Sequence, residues 1–181
     1  NHSLQYFEDR YHDGTYKEIS STYPVWKSVL AAVVNFVPDP IQAQSYRTKT
    51  IWSGDIESKI GIAIQQCDPD GPLVIGMGKV QKIKNRLIGT GRIFSGTLKR
   101  GQHAWLVNDG SKSVINQLSF FMDSRMETVT EIPAGNIAAI GGIKKITSGE
   151  TIFDIKHINE LAIIFSEILY NNKALINSIK Y

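Results

Sequence analysis

The sequence has one cysteine, four scattered histidines and no long apolar run. The lone Cys67 excludes an internal disulfide, and the spacing of the histidines is not typical of a metal site. No apolar stretch approaches the ~18 residues of a membrane-spanning helix, and the first residues lack the basic and then apolar pattern of a signal peptide. We therefore expect a cytoplasmic chain with no membrane partner.

Nucleotide-binding and catalytic patterns are also missing. Neither a Gly-x-x-x-x-Gly-Lys-Ser/Thr loop nor a Gly-x-Gly-x-x-Gly fingerprint occurs. Asp68 and Asp70 stand in Asp-Pro-Asp-Gly, which is typical of a turn rather than of acid–base catalysis. Ser95 lacks the flanking glycines of a nucleophile elbow. The residues predict binding and no catalytic site, so an enzyme acting through Asp68 or Asp70 is the weakest hypothesis.

The net charge of +3 conceals an uneven distribution along the 181 residues. Residues 1–71 carry 6 Lys and Arg against 9 Asp and Glu, residues 72–156 carry 12 against 6, and residues 157–181 carry 2 against 2. A basic middle segment beside an acidic first third indicates an acidic partner, and nucleic acid is the commonest. The alternative is that the basic residues only keep the protein soluble.

Helical patterns are confined to the first part of the chain. Apolar residues at helical spacing predict a helix over 24–37, which Pro38-Asp39-Pro40 ends. Residues 41–53 read as an extended polar linker, and a second helix begins with Asp55 as its N-cap. Cys67 falls on the apolar face of that helix, and residues 1–23 show no clear period.

The pattern of apolar and polar residues changes after the turn signal at residues 68–72. About seven short strands follow over some 85 residues with no helical pattern: 73–80, 87–94, 103–107, 113–121, 127–132, 136–140 and 151–155. This pattern predicts a mainly β fold, a small closed barrel preceded by two helices. Segments 161–170 and 174–180 look like two further strands. The predicted boundaries are 1–71, 72–156 and 157–181.

Seven cations lie within 22 residues of the predicted barrel, with no acid between them. They are Lys79, Lys82, Lys84, Arg86, Arg92, Lys99 and Arg100. On an extended backbone, residues 82, 84 and 86 would lie on one side. Glycines at 91, 96 and 101 predict a tight corner between strands that carries the last three cations. Phosphate contact is the natural use of this patch, and a solvated hairpin is the alternative.

Several motifs resemble one family in their order along the chain. They are Ser45-Tyr46-Arg47, Ile51-Trp52-Ser53-Gly54-Asp55, the run from Cys67 to Pro72, Gly91 to Gln102, Pro133 to Ile137 and Gly149-Glu150-Thr151. In this order they resemble elongation factor 2 of archaea and eukaryotes, over roughly residues 24–181. The resemblance implies the end of a GTP-binding domain with a linker helix, then the second domain, a Greek-key β-barrel of the translation-factor type. After the barrel it implies the connector and first strand region of a third domain.

The resemblance also implies a function for the parent protein. That protein would be a ribosomal translocation GTPase that uses GTP and Mg, with no cofactor site in this part of it. The barrel would dock on small-subunit ribosomal RNA, with Arg92, Lys99 and Arg100 matching family positions on its surface and the other four cations assigned from their charge. For Arg92, a brace within the barrel or a contact with the protein's own GTP-binding domain is the alternative. A non-catalytic interaction barrel of a divergent paralogue, in ribosome maturation or splicing, is the alternative.

Overall fold

The computed structural model describes residues 3–83, 85–122 and 125–157 and divides the chain into two compact units, Asn1–Asp39 and Pro40–Tyr181. The first unit contains α1 (Leu4–His12), α2 (Tyr16–Thr22) and α3 (Val25–Phe36). The helix predicted over 24–37 is thus confirmed as α3. The sequence did not predict α1 and α2, which form where residues 1–23 show no clear period; neither helix has a buried residue.

Two helices open the second unit, and both correct the sequence-based expectation. α4 (Pro40–Ile51) occupies the predicted extended linker, and its buried residues are the polar Gln44 and Thr48, one helical turn apart. α5 (Lys59–Gln66) begins later than predicted, because the Ser58 hydroxyl, and not Asp55, accepts from the Gly61 amide at 3.1 Å. The Asp55 carboxylate instead accepts from the Glu57 amide in the preceding turn.

Ten short strands follow in the described residues. They are β1 (Val74–Ile83), β2 (Arg86–Ser95), β3 (Thr97–Lys99), β4 (His103–Leu106), β5 (Ser111–Val114), β6 (Gln117–Met122), β7 (Arg125–Thr128), β8 (Glu131–Pro133), β9 (Ile137–Gly141) and β10 (Thr151–Asp154), and a 3-10 turn covers Ile155–His157. Two predicted strands, 113–121 and 127–132, are each divided in two. The predicted strands at 161–170 and 174–180 lie outside the described residues.

All the described strands pair antiparallel. Eight form one sheet in the order β5-β4-β10-β1-β2-β9-β6-β7, and β3 pairs with β8 in a separate ribbon. The sheet ends at β5 and β7, so the described strands do not close into the expected continuous barrel ladder. Hydrogen bonds between loops connect the sheet and the ribbon. In one of them the Gly101 amide donates to the Ile115 carbonyl at 2.8 Å. The mainly β fold predicted from the sequence is confirmed.

Both sheets share one apolar core. Its fully buried residues come from both the eight-stranded sheet and the ribbon, and include Ile75, Ile93, Leu98, Leu118 and Ile140. Burying a side chain of this size contributes about 1.5–3 kcal/mol relative to leaving it exposed. The strand pattern was readable from the sequence because this core selects alternate apolar residues.

A second apolar cluster attaches α5 to the sheet. Ile60 and Ile64 of α5 pack with Val74 and Phe153, and Trp52 and Trp105 lie at its margin. The buried Gln44 amide of α4 donates to the carbonyls of Ile64 and, at 2.8 Å, Phe94. The two helices are therefore joined to β2 by both apolar contact and hydrogen bonds.

The chain turns sharply from β2 into β3 at Gly96, which has a φ of +76°. A Cβ at Gly96 would lie 2.6 Å from Leu73 Cα and 2.9 Å from Gly71 O. The Gly96 amide donates to Asp68 O at 2.7 Å, and the Ser95 hydroxyl donates to Pro72 O at 2.5 Å. The predicted corner is thus a close approach of two backbones.

We expect Gly96→Ala to destabilise the chain by at least about 3 kcal/mol, because left-handed strain adds to a backbone collision. Gly101→Ala is the matched control, since Gly101 also has a positive φ, of +84°, but no atom lies within 4 Å of its Cβ position. That variant should lose only about 1–2 kcal/mol. Urea unfolding followed by tryptophan fluorescence measures both, and equal losses would contradict the close approach.

Replacing Gln44 tests the attachment of α4. Gln44→Leu removes the donor to the Ile64 and Phe94 carbonyls and should lower the free energy of unfolding by about 1–3 kcal/mol. The loss is moderated because the Gln44 carbonyl oxygen is itself buried without a hydrogen-bond partner. Gln66→Leu, at an exposed position on α5, is the control for a change of side-chain polarity. A wild-type urea midpoint for Gln44→Leu would contradict this role.

Candidate nucleic-acid interface

The first group of predicted cations lies on the β1–β2 hairpin. Lys79 and Lys82 of β1 and Arg86 of β2 are exposed, and we call these three residues the hairpin surface. Ile83 pairs with Arg86, which leaves a two-residue turn that ends at Asn85 with a φ of +67°. Asparagine tolerates this left-handed conformation better than most residues, which suits a tight hairpin. Lys84, also predicted to bind RNA, lies outside the described residues.

The hairpin register corrects one expectation. Residues 82, 84 and 86 would share a side only if the backbone stayed extended, and the chain reverses between Ile83 and Arg86. Lys82 pairs with Leu87, whereas Arg86 pairs with Ile83. Because side chains alternate along a strand, Lys82 projects from one face of the hairpin and Arg86, together with Lys79, from the other. The hairpin surface therefore has two charged sides.

The second group lies beyond the other end of β2. Lys99 and Arg100 are exposed and line a cleft of about 990 Å³. Lys112 of β5 and Lys156 of the 3-10 turn line the same cleft, and we call these four residues the corner surface. The loop is fixed by backbone contacts, since Arg100 N donates to Thr130 O at 2.8 Å. The structure thus adds two cations that the sequence did not single out.

Acidic residues lower the positive potential of the corner surface. Glu131 pairs with Lys99 at 3.5 Å, and both side chains are more than half exposed, so the pair contributes little to stability. Asp70 and Asp154 line the same cleft. Four cations and three carboxylates give a cleft of mixed charge. No acidic residue stands between Lys79 and Arg86 in the sequence, so the hairpin surface is the more uniformly basic of the two.

The two surfaces are far apart. Arg86 begins β2 and Ser95 ends it, and ten residues at about 3.3 Å each separate the ends by roughly 30 Å. Seven cations that are neighbours in sequence therefore form two groups in space. An RNA that contacts both would have to span roughly 30 Å, about the diameter of a small domain.

Arg92 belongs to neither surface. It is half-buried in the middle of β2, where it pairs with Gly76 of β1 and Ile137 of β9. Alternation places it on the face of β2 that also carries Phe94, whose ring packs at the margin of the cluster below α5. A role for Arg92 in RNA binding, or in bracing the barrel, stays a prediction.

Missed cations share one feature that the sequence could not reveal. Lys112, Lys144 and Lys156 stand on segments distant from residues 79–100, and pairing of the strands brings them near the predicted cations. Lys144 lies in the loop after β9, beside Arg86. Charge density along the chain identifies only cations that are close in sequence.

The described residues offer no metal-binding cluster. Across 3–83, 85–122 and 125–157, no three His, Cys, Asp or Glu side chains come together to hold an ion. The buried Glu150 carboxylate accepts instead from the amides of Asn108 and Thr151, at 2.7 and 3.0 Å, and so holds a turn. The Asp68 carboxylate accepts from the Asp70 amide at 2.9 Å, again as a turn contact.

The helices of the described residues are also too short or too polar to cross a membrane.

Comparison with known proteins agrees with the mainly β fold of the second unit. Residues 87–153, from β2 to β10, match the family described as Elongation factor Tu domain 2. The barrel is therefore a second domain of the translation-factor class. The chain is 42% identical over 159 residues, or 88% of its length, to elongation factor 2 of Aeropyrum pernix, and 38% identical over 161 residues, also 88%, to that of Sulfolobus acidocaldarius. The elongation factor 2 of Staphylothermus marinus is 43% identical over 141 residues, 77% of this chain.

The resemblance to elongation factor 2 read from the motifs is thus confirmed, and the chain is a member of that family over the part they share. It spans about a fifth of the length of these relatives: 22% for Aeropyrum pernix and Sulfolobus acidocaldarius and 19% for Staphylothermus marinus.

Proposed function

We propose that this chain is part of a translation elongation factor 2-like GTPase and that its barrel docks on small-subunit ribosomal RNA. The observation that carries the proposal is the pair of exposed cationic surfaces at opposite ends of β2, on a barrel of the translation-factor class. Lysine and arginine side chains there can contact backbone phosphates without reading sequence. Contacts at two separate surfaces fix the orientation of the barrel on the RNA, which contacts at one surface cannot do.

The parent protein would bind GTP and Mg in a domain outside the barrel and work in the cytoplasm. Under this proposal residues 1–71 are the end of that GTP-binding domain and its linker helix, residues 72–156 are the barrel, and residues 157–181 lead into a third domain. The attachment of α4 and α5 to β2 supports a relay, because Gln44 connects the linker helix directly to the strand that joins the two cationic surfaces. A change in the state of the GTP-binding domain would reach the RNA-facing residues through this contact.

A second function fits the mixed charge of the corner surface. A cleft with Lys99 and Arg100 opposite Glu131 and Asp154 also suits a protein partner with both signs of charge. The barrel would then be an interaction module of a divergent elongation factor 2 paralogue. Salt dependence separates the two functions, since loss of phosphate contacts gives a steep decrease in affinity with salt.

Charge reversal tests the docking proposal. We expect Lys79→Glu/Lys82→Glu and, separately, Lys99→Glu/Arg100→Glu to weaken binding of the 181-residue chain to archaeal small ribosomal subunits by at least about tenfold, with a shallower salt slope. Co-sedimentation at several salt concentrations measures both quantities. Lys17→Glu/Lys27→Glu, at two exposed lysines of the first unit, is the matched control. Unchanged binding by both barrel variants would exclude the assigned surfaces.

Glu131→Gln distinguishes RNA from protein at the corner surface. Removal of this carboxylate frees Lys99 and raises the local positive potential, so binding to RNA should strengthen roughly two- to fivefold at low salt and converge with wild type at high salt. Binding to a partner that presents basic residues should weaken instead. Glu8→Gln, which removes one exposed carboxylate outside the barrel, provides the comparison for net charge. Weaker binding to small subunits by Glu131→Gln would favour the interaction module.

A further inference from the structure

A cleft of about 610 Å³ opens beside the hairpin surface. Three segments distant in sequence form it: the β1–β2 turn, the start of β6 and the loop after β9. The polar residues that line it are Asn85, Arg86, Asn116, Gln117 and Lys144. We call this the hairpin cleft. Its volume lies within the range of roughly 300–1,000 Å³ that is usual for pockets that hold a small ligand.

The chemistry of the hairpin cleft differs from that of the corner surface. Among the described residues its lining includes two cations and three amides but no carboxylate, whereas the corner cleft has three. Arginine and lysine attract phosphate, and an amide side chain both donates and accepts hydrogen bonds without carrying charge. The half-buried Leu87 adds apolar surface. The cations match the phosphate of a nucleotide, and the neutral amides match the edge of its base. The apolar surface matches the face of the base.

The walls of the cleft stand on ordered structure. Gln117 pairs with Gly141 of β9, and Arg86 pairs with Ile83 of β1. Asn116 follows Ile115, which is fully buried in the core, and Ile143 is only 2% exposed. Groups held by a packed scaffold bind with a smaller loss of conformational freedom than groups on a loose loop.

We propose that the hairpin cleft receives one unpaired nucleotide of the RNA on which the barrel docks. This inference rests on the proposed function. Arg86 and Lys144 hold the flanking phosphates, and the amides of Asn85, Asn116 and Gln117 bind the edge of the base. Proteins recognise RNA sequence mainly at unstacked bases in loops and bulges, because the grooves of paired RNA offer little to read. The hairpin cleft would therefore select an RNA site with a bulged nucleotide, while the corner surface contacts only backbone.

The test compares two RNAs with the 181-residue chain. One is a fully paired duplex of sixteen base pairs, and the other is the same duplex with a single bulged nucleotide, prepared with each of the four bases; fluorescence anisotropy gives the affinities. We expect at least one bulged RNA to bind about tenfold more tightly than the duplex, the size of effect that one well-formed set of base contacts gives. The variant Asn116→Ala/Gln117→Ala should lose that preference and keep the affinity for the paired duplex.

Two further variants separate charge from base recognition. Arg86→Ala/Lys144→Ala should weaken binding to both RNAs and reduce the salt slope by about one to two units. Asn35→Ala/Gln66→Ala, which removes one exposed Asn and one exposed Gln outside the cleft, should behave as wild type. Urea unfolding of each variant confirms that the fold is retained.

The outcomes distinguish failure of this inference from failure of the proposed function. Equal affinity of the wild type for bulged and paired RNA overturns the proposal that the hairpin cleft binds a nucleotide, and it leaves the proposal of docking through phosphates intact. A bulge preference that survives in Asn116→Ala/Gln117→Ala overturns it as well. Binding to small subunits without measurable binding to any RNA overturns both, and it favours a protein partner.

Discussion

The close approach at Gly96 is the constraint on which the rest of the second unit depends. A backbone without a Cβ lies against Leu73, and three hydrogen bonds from residues 95–97 reach the loop that joins α5 to β1. This close approach ends β2, turns the chain into β3 and anchors the loop after α5 to the barrel. The glycine is thus architectural, and the cations beside it occupy their positions because the corner is fixed.

The separation of the hairpin surface from the corner surface follows from the position of that corner. β2 is a ten-residue strand with the hairpin surface at its start and the corner surface beyond its end, and it pairs with β1 on one side and β9 on the other. The same strand receives the Gln44 amide near its end. One strand therefore connects α4, the corner and the hairpin surface. A rigid connection of this kind suits a domain that must present charges at fixed positions on a large partner.

The sequence was most informative where apolar residues decide the structure. The strands and α3 were predictable because alternate or helically spaced apolar residues reveal the period. α4 was missed because its buried residues, Gln44 and Thr48, are polar and hydrogen-bonded, so its contact with the barrel has no apolar signature. Closure of the barrel was overestimated for a related reason, since a strand pattern carries no information about which edges are hydrogen-bonded to each other.

The candidate interface was harder to predict than the fold, because charge depends on three-dimensional neighbours. Lys82 and Arg86 on the hairpin proved to lie on opposite faces, and Lys144 joined Arg86 from a position 58 residues away in the chain. A turn only two residues long decides the first outcome, and the pairing of β2 with β9 decides the second. Both depend on register, which shifts every side chain to the other face when it moves by one residue. The positions of cations on a barrel are therefore a property of its hydrogen-bonding register, and the charge of a segment alone does not determine the surface that it forms.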